Sequence, residues 1–178
     1  MLGNLAVHPA CADAILTSSR GEHGATVYRG LAAVAAVVGG SDLECARAGS
    51  FVFANLTASA AHRPTLVSFP GALAAIVALG CSDTTIDQQT SMRALRALAS
   101  APDAREPLVA EGVLEAIQLS ISAARDTIVL RDAAACARGL ALAERNKVAM
   151  TVDTQFMGTP LQLLLMRVHC IACARASV

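Results

Sequence analysis

Arg96 and Arg138 stand 42 residues apart, and Arg93 precedes Arg96 by one helical turn. Guanidinium groups gathered on one side of a fold pair with carboxylates or phosphates, often through two parallel N–H···O bonds. The alternative for the same side chains is a solvated face whose stems cover apolar helix. Phe51 and Asn55 form a second candidate. Four residues apart, they share one helix face. The Asn amide offers both donor and acceptor, which suits holding an extended peptide backbone; it can equally satisfy a neighbouring loop. His169-Cys170-Ile171-Ala172-Cys173 contains one Cys-x-x-Cys beside a histidine. Structural zinc needs about four ligands, usually two such pairs, and no second pair exists. Thiols in an apolar helix are the better reading, and no metal or other cofactor is expected. Asn55-Leu56-Thr57 spells a glycosylation acceptor, but it ends a helix in a chain that opens MLGNLAVHPAC, without the basic region of a signal peptide. There is no Walker A loop, GxGxxG, HExxH or GxSxG. The carboxylates are dispersed into caps and turns, and no enzyme is proposed.

The elements that must position these residues repeat. Leu56, Arg63, Leu66 and Val67 return as Leu98, Arg105, Leu108 and Val109, 42 residues on. A second step of 42 reaches Leu140, Lys147 and Met150, and Asp42 finds Thr84 and Asp126 at the same interval. Gly71, Leu73 and Ile76 match Gly112, Leu114 and Ile117 at a spacing of 41. A fixed period of about 40–47 residues marks an array of helical units that stack to bury a shared core.

Composition agrees. The 178 residues are 54% apolar but only 3% aromatic, with no Trp; the apolar mass is Ala, Leu and Val, and Ala and Leu are strong helix formers. Fourteen basic and 14 acidic residues leave no net charge, which argues against nucleic-acid binding driven by bulk charge. No apolar run reaches the roughly 20 residues of a spanning helix. Six scattered cysteines suit reduced thiols, and a cytoplasmic location, with the nucleus as the other choice, follows as an expectation.

In order, residues 1–40 read as a partial unit. A short helix covers 10–16. A polar, Gly-rich insertion runs from Thr17 to Gly30, and a second helix covers 31–38. Full units follow at about 41–82, 83–124 and 125–150. The stretches from Arg63 and from Pro102 each read as a short first helix, a Gly turn, a second helix and a long third helix, the last of these running from near Asp126 to about Ala143. A fourth unit opens at Asn146-Lys147 and then loses the pattern. Ser41 is the expected N-cap of the first long helix, with Glu44 closing a capping box. Leu43, Ala46, Gly49, Phe53 and Leu56 are its expected buried face. Residues 151–178 read as a diverged C-terminal segment whose Leu161–Ala176 stretch is one apolar helix. The chain opens in mid-repeat and closes on apolar sequence, so self-association through uncapped ends is expected.

The phrases from His62-Arg63 to Leu79 and from Ala104-Arg105 to Leu119, with the endings Phe53-Ala54-Asn55-Leu56-Thr57 and Leu95-Arg96-Ala97-Leu98-Ala99, resemble the armadillo-repeat family over roughly residues 1–150. The resemblance implies an all-α, right-handed α-solenoid of about three to four repeats in a single domain. The third helices line a concave groove that takes partners in extended form. In family members that bind basic targeting peptides, Trp and Asn four residues apart form a ladder along the groove. Phe51 and Asn55 stand at one such pair; the next two pairs are Arg93 with Ala97 and Ala135 with Gly139. The ladder is not continued, so a basic peptide is not the expected ligand. The expectation is a non-catalytic scaffold that binds a protein or extended peptide, acidic or phosphorylated, through Phe51, Asn55, Arg93, Arg96 and Arg138. The other expectation is a regulatory or targeting segment of a larger multidomain protein.

Overall fold

A computed structural model describes residues 6–20, 26–123 and 126–152, and this part of the chain is almost wholly α-helical. The calls on Met1–Leu5, Leu161–Ala176 and His169–Cys173, and hence on both ends, lie outside the described residues. Helices α1 (Pro9–Leu16), α2 (Arg29–Val38) and α3 (Leu43–Leu56) are followed by α4 (Arg63–Ser68), α5 (Ala72–Gly80) and α6 (Thr85–Ala99). Then come α7 (Pro102–Ala110), α8 (Val113–Ala123), α9 (Thr127–Leu140) and α10 (Glu144–Val152). The order short, intermediate, long therefore occurs three times. Each short helix carries Pro in its first turn, at Pro9, Pro64 and Pro102, where a missing N–H costs no helical hydrogen bond. The turns from α4 to α5 and from α7 to α8 pass through Gly71 at φ 80° and Gly112 at φ 85°. Side chains with a Cβ rarely adopt that left-handed conformation, which explains why both glycines recur.

Like elements pack on like. Helix α4 lies against α7 and α7 against α10; α5 lies against α8; α3 lies against α6 and α6 against α9. Cross-contacts fix the directions of the long helices. Gln89 near the start of α6 reaches Asp126 at the start of α9, at 2.8 Å. Gly139 near the end of α9 abuts Ala99 at the end of α6, so closely that a Cβ there would lie 3.0 Å from the Ala99 Cβ. The two helices run parallel. The space between the layers holds Phe53, Leu66, Ile76, Met92, Leu95, Leu98, Leu108, Ile117 and Leu140, all fully buried. Ser91 and Ser120 on longer helices donate to the Ile76 and Gly80 carbonyls at 2.7 and 3.0 Å, so the buried hydroxyls are satisfied.

Three local expectations are corrected. The N-cap of α3 is Asp42, whose carboxylate accepts from the Cys45 N–H at 3.0 Å, not Ser41. This moves Glu44 to the second helical position, too early for a capping box, and its carboxylate instead lies 3.8 Å from Arg47. Leu43 is 83% exposed. At 100° per residue it sits about 120° round the helix from Gly49, off the buried arc. The Thr17–Gly30 insertion contains a small antiparallel pairing of β1 (Ser19–Arg20) with β2 (Thr26–Val27), Ser19 opposite Val27, and α2 starts two residues before the expected Leu31.

Candidate functional site

The period anchors Arg63 and Arg105 do local work first. Arg63 Nε donates to the Thr57 carbonyl at 2.9 Å and Arg105 Nε to the Ala99 carbonyl at 3.1 Å. Both carbonyls belong to the final turn of a long helix, where backbone acceptors lack partners and the dipole end is negative. Asn146 latches the end of α9 in the same manner, Nδ2 donating to the Leu140 carbonyl at 3.1 Å and to the Arg105 carbonyl at 2.9 Å. Both guanidiniums also reach Ser100, Arg105 Nη2 donating to its carbonyl at 3.5 Å. Arg63 Nη1 lies 3.2 Å from Ser100 Oγ.

There they meet the arginines of α6 and α9. Arg63, Arg93, Arg96, Arg105 and Arg138 all line one cleft of about 860 Å³. Its remaining lining is small or apolar apart from Ser100, with Ala97, Ala135 and Gly139 on the helix faces. No carboxylate among the described residues lines it. Arg93, Arg96 and Arg138 are exposed. The close approach at Gly139 and Ala99 brings α6 and α9 together at the arginine-bearing ends.

The five cations are not equivalent. Arg96 Nη1 donates to Asp132 Oδ1 at 2.9 Å, and Arg131 Nε reaches the same oxygen at 3.1 Å. Asp132 is 1% exposed and its Oδ2 has no hydrogen-bond partner among the described residues. Arg96 thus serves α9 as the counter-charge of a buried acid. Arg93 and Arg138 make no hydrogen bond or ion pair with a described residue.

The structure brings three of the five sequence candidates, Arg93, Arg96 and Arg138, into this cleft and leaves Phe51 and Asn55 outside it. Both lie on α3, one long helix earlier, and both are half-buried. The Phe51 ring lies under Arg47, 5.4 Å from the guanidinium carbon. Arg47 in turn forks onto Asp87 of α6, with contacts of 2.6 to 2.9 Å, and Ser82 Oγ donates to the same carboxylate at 2.8 Å. Burial opposes the charge on Asp87, but the hydrogen bonds from Arg47, Thr84 and Ser82 and the Arg47 charge together hold its carboxyl below the usual range. The hydrogen bond from Arg47 to Asp87, and then its charge, raise the Arg47 guanidinium in turn. This pair ties α3 to α6. Arg63 and Arg105 are the cleft residues that the sequence reading did not single out as a site, although their recurrence at 42 residues was the available signal.

Among the described residues, no group of three or more His, Cys, Asp and Glu is placed to hold a metal. The Cys136 thiol is buried and pushed up to about 12 by that burial. No single helix among the described residues is long and apolar enough to cross a membrane. No family model matches the chain, and no curated protein is significantly similar to it.

Proposed function

We propose that the chain is an armadillo-like, right-handed superhelix of three-helix units forming one domain, and a non-catalytic scaffold. In this reading it binds an extended, negatively charged segment of another protein, in the cytoplasm or nucleus, with no part in nucleic-acid binding. The recurrence of short, intermediate and long helices, with like packed on like, supports the superhelix. One observation carries the function: five arginines line a single cleft, and among the described residues only Arg96 has an acidic partner. Four guanidiniums without counter-charge repel one another in the free protein, and an anionic ligand relieves that repulsion.

Stacked helices lie about 8–10 Å apart and an extended chain advances about 3.3 Å per residue. The two long helices that line the cleft, α6 and α9, therefore address a segment of roughly five or six residues. The test is fluorescence anisotropy with labelled poly-Glu, poly-Lys and single-stranded DNA of about that length. Poly-Glu should bind, weaken with salt, and be lost in the Arg93→Glu/Arg138→Glu double variant but not in Arg145→Glu, a reversal outside the cleft. Absence of poly-Glu binding, or tighter binding of the oligonucleotide, refutes the reading.

A further inference from the structure

We infer that the ligand of the cleft is a phosphorylated side chain on an extended protein segment, rather than a carboxylate; this rests on the reading of the cleft as a partner site. Arg63 and Arg105 have each committed Nε to a backbone carbonyl, at 2.9 and 3.1 Å, and are held in place by it. Of their terminal nitrogens, Arg63 Nη1 donates to Ser100 Oγ at 3.2 Å and Arg105 Nη2 to the Ser100 carbonyl at 3.5 Å. Arg63 Nη2 and Arg105 Nη1 make no hydrogen bond with a described residue and remain as donors. Arg93 and Arg138 retain all their donors. A carboxylate has two oxygens and one negative charge, so a single Glu leaves most of this array unmatched. A phosphomonoester presents three terminal oxygens and a charge of about −1.5 to −2 near neutral pH. It can accept from three guanidiniums at once while balancing two. Arginine forks match phosphate geometry in two-bonded pairs. The choice of Arg over Lys carries no weight, because 13 of the 14 basic residues of this chain are Arg. Placement decides instead: among the described residues Arg63, Arg93, Arg105 and Arg138 have no acidic partner, and Arg93 and Arg138 have no acceptor. Ala97, Ala135 and Gly139 leave the approach between the arginines open, and about 860 Å³ exceeds what one phosphate fills. The remainder accommodates the chain that carries it.

The protonation chemistry separates the two ligands. A phosphomonoester dianion takes up a proton at about pH 6, whereas Glu stays ionised until about 4.3. Among the described residues the cleft lining holds no His, Cys, Asp or Glu, and arginine does not titrate in this range. The only described acid bonded to a lining arginine is the buried Asp132 behind Arg96. A fall in affinity across pH 6 therefore reports the ligand's own proton.

The experiment uses the full chain and NMR of its arginine Nε–H groups, titrated with acetyl-Gly-Ala-pSer-Ala-Gly-amide, with the same peptide carrying Glu, and with inorganic phosphate. The phosphopeptide should bind at least about tenfold tighter than the Glu peptide near neutral pH, a difference of about 1.4 kcal/mol. Its affinity should drop severalfold when the pH is lowered below 6, with no such drop for the Glu peptide. Arg93→Gln and Arg138→Gln should each weaken it severalfold, and Arg145→Gln should not. A Glu peptide that binds as tightly overturns the phosphate assignment while leaving an acidic segment as ligand. Inorganic phosphate binding as tightly as the phosphopeptide overturns the protein segment and makes the cleft a site for free anions. No perturbation by any of the three overturns this inference and the partner reading together.

Discussion

Charge reversal should divide the cleft arginines into two kinds. Arg96→Glu removes the donor 2.9 Å from Asp132 Oδ1 and leaves a carboxylate that is 1% exposed with Arg131 as its remaining cation. Losing a hydrogen bond to a charged group costs about 1.5–3 kcal/mol. Two like charges at 4 Å repel by about 4 kcal/mol at an effective dielectric constant of 20. The Arg96 side chain is 45% exposed, so a Glu there can swing into water and shed most of that second quantity. The expected net loss is about 2–4 kcal/mol, within the range in which a broken buried ion pair falls. For a chain of this size each kcal/mol moves Tm by about 2–4 °C, so Arg96→Glu should melt roughly 4–16 °C below the parent. Arg93→Glu and Arg138→Glu remove no internal bond and reduce repulsion in the cleft; each should stay within about 0.5 kcal/mol of the parent. Thermal unfolding followed by far-UV circular dichroism measures all three, and a double-mutant cycle of Arg96→Ala with Asp132→Ala isolates the pair. An Arg96→Glu variant that melts with Arg138→Glu, together with a coupling energy near zero, would refute the assignment of Arg96 to Asp132. The consequence for function is direct: a binding test that reverses Arg96 confounds lost affinity with lost stability, and Arg93 with Arg138 is the pair to use.

Two further outcomes follow from the core and from α3. Leu98 is fully buried, so Leu98→Ala should cost about 2–5 kcal/mol in urea unfolding, and a loss below 1 kcal/mol would mean that the α6 face is not packed as described. Asp87 has its carboxyl held below the usual range, so its folded value lies under its unfolded one. Its contribution is complete above the ordinary carboxylate range near 4 and is lost as the pH falls through the folded value. The stability gap between the parent and Asp87→Asn should therefore close on acidification from neutral pH, and a gap that stays constant down to about pH 3 would count against the Arg47–Asp87 tie.

The period of 42 was legible because it is imposed by backbone and core. A left-handed turn demands Gly at 71 and again at 112, and each stacked layer needs an apolar residue such as Leu56, Leu98 or Leu140 at the same place. Any feature required once per unit leaves a trace every unit. The polar ties between units leave none, because each is made differently. Arg96 bonds Asp132, yet one unit earlier the same positions hold Ala54 and Thr90. Arg47 bonds Asp87, yet its successor Gln89 turns to Asp126 instead. A charge pair that occurs once cannot be separated, by spacing alone, from two solvated residues. That is why Arg96 looked equivalent to Arg138 in sequence and differs from it in structure.

The same reasoning explains the displacement of the site. Phe51 and Asn55 drew attention through a resemblance that belongs to a ladder this chain does not continue. At the next two units the ladder positions hold Arg93 with Ala97 and Ala135 with Gly139. Small residues at Ala97, Ala135 and Gly139 open the surface between α6 and α9, and Arg93 adds a cation to it. The latches Arg63 and Arg105, kept by the period for the helix ends, then supply two cations to it. A cleft with four guanidiniums that have no acidic partner among the described residues thus arises where the recurring order of helices and a local departure from it coincide. Within the described residues that coincidence falls on the α6–α9 pair, so substitutions at Phe51 or Asn55 should leave anion binding unchanged while those at Arg93 and Arg138 remove it.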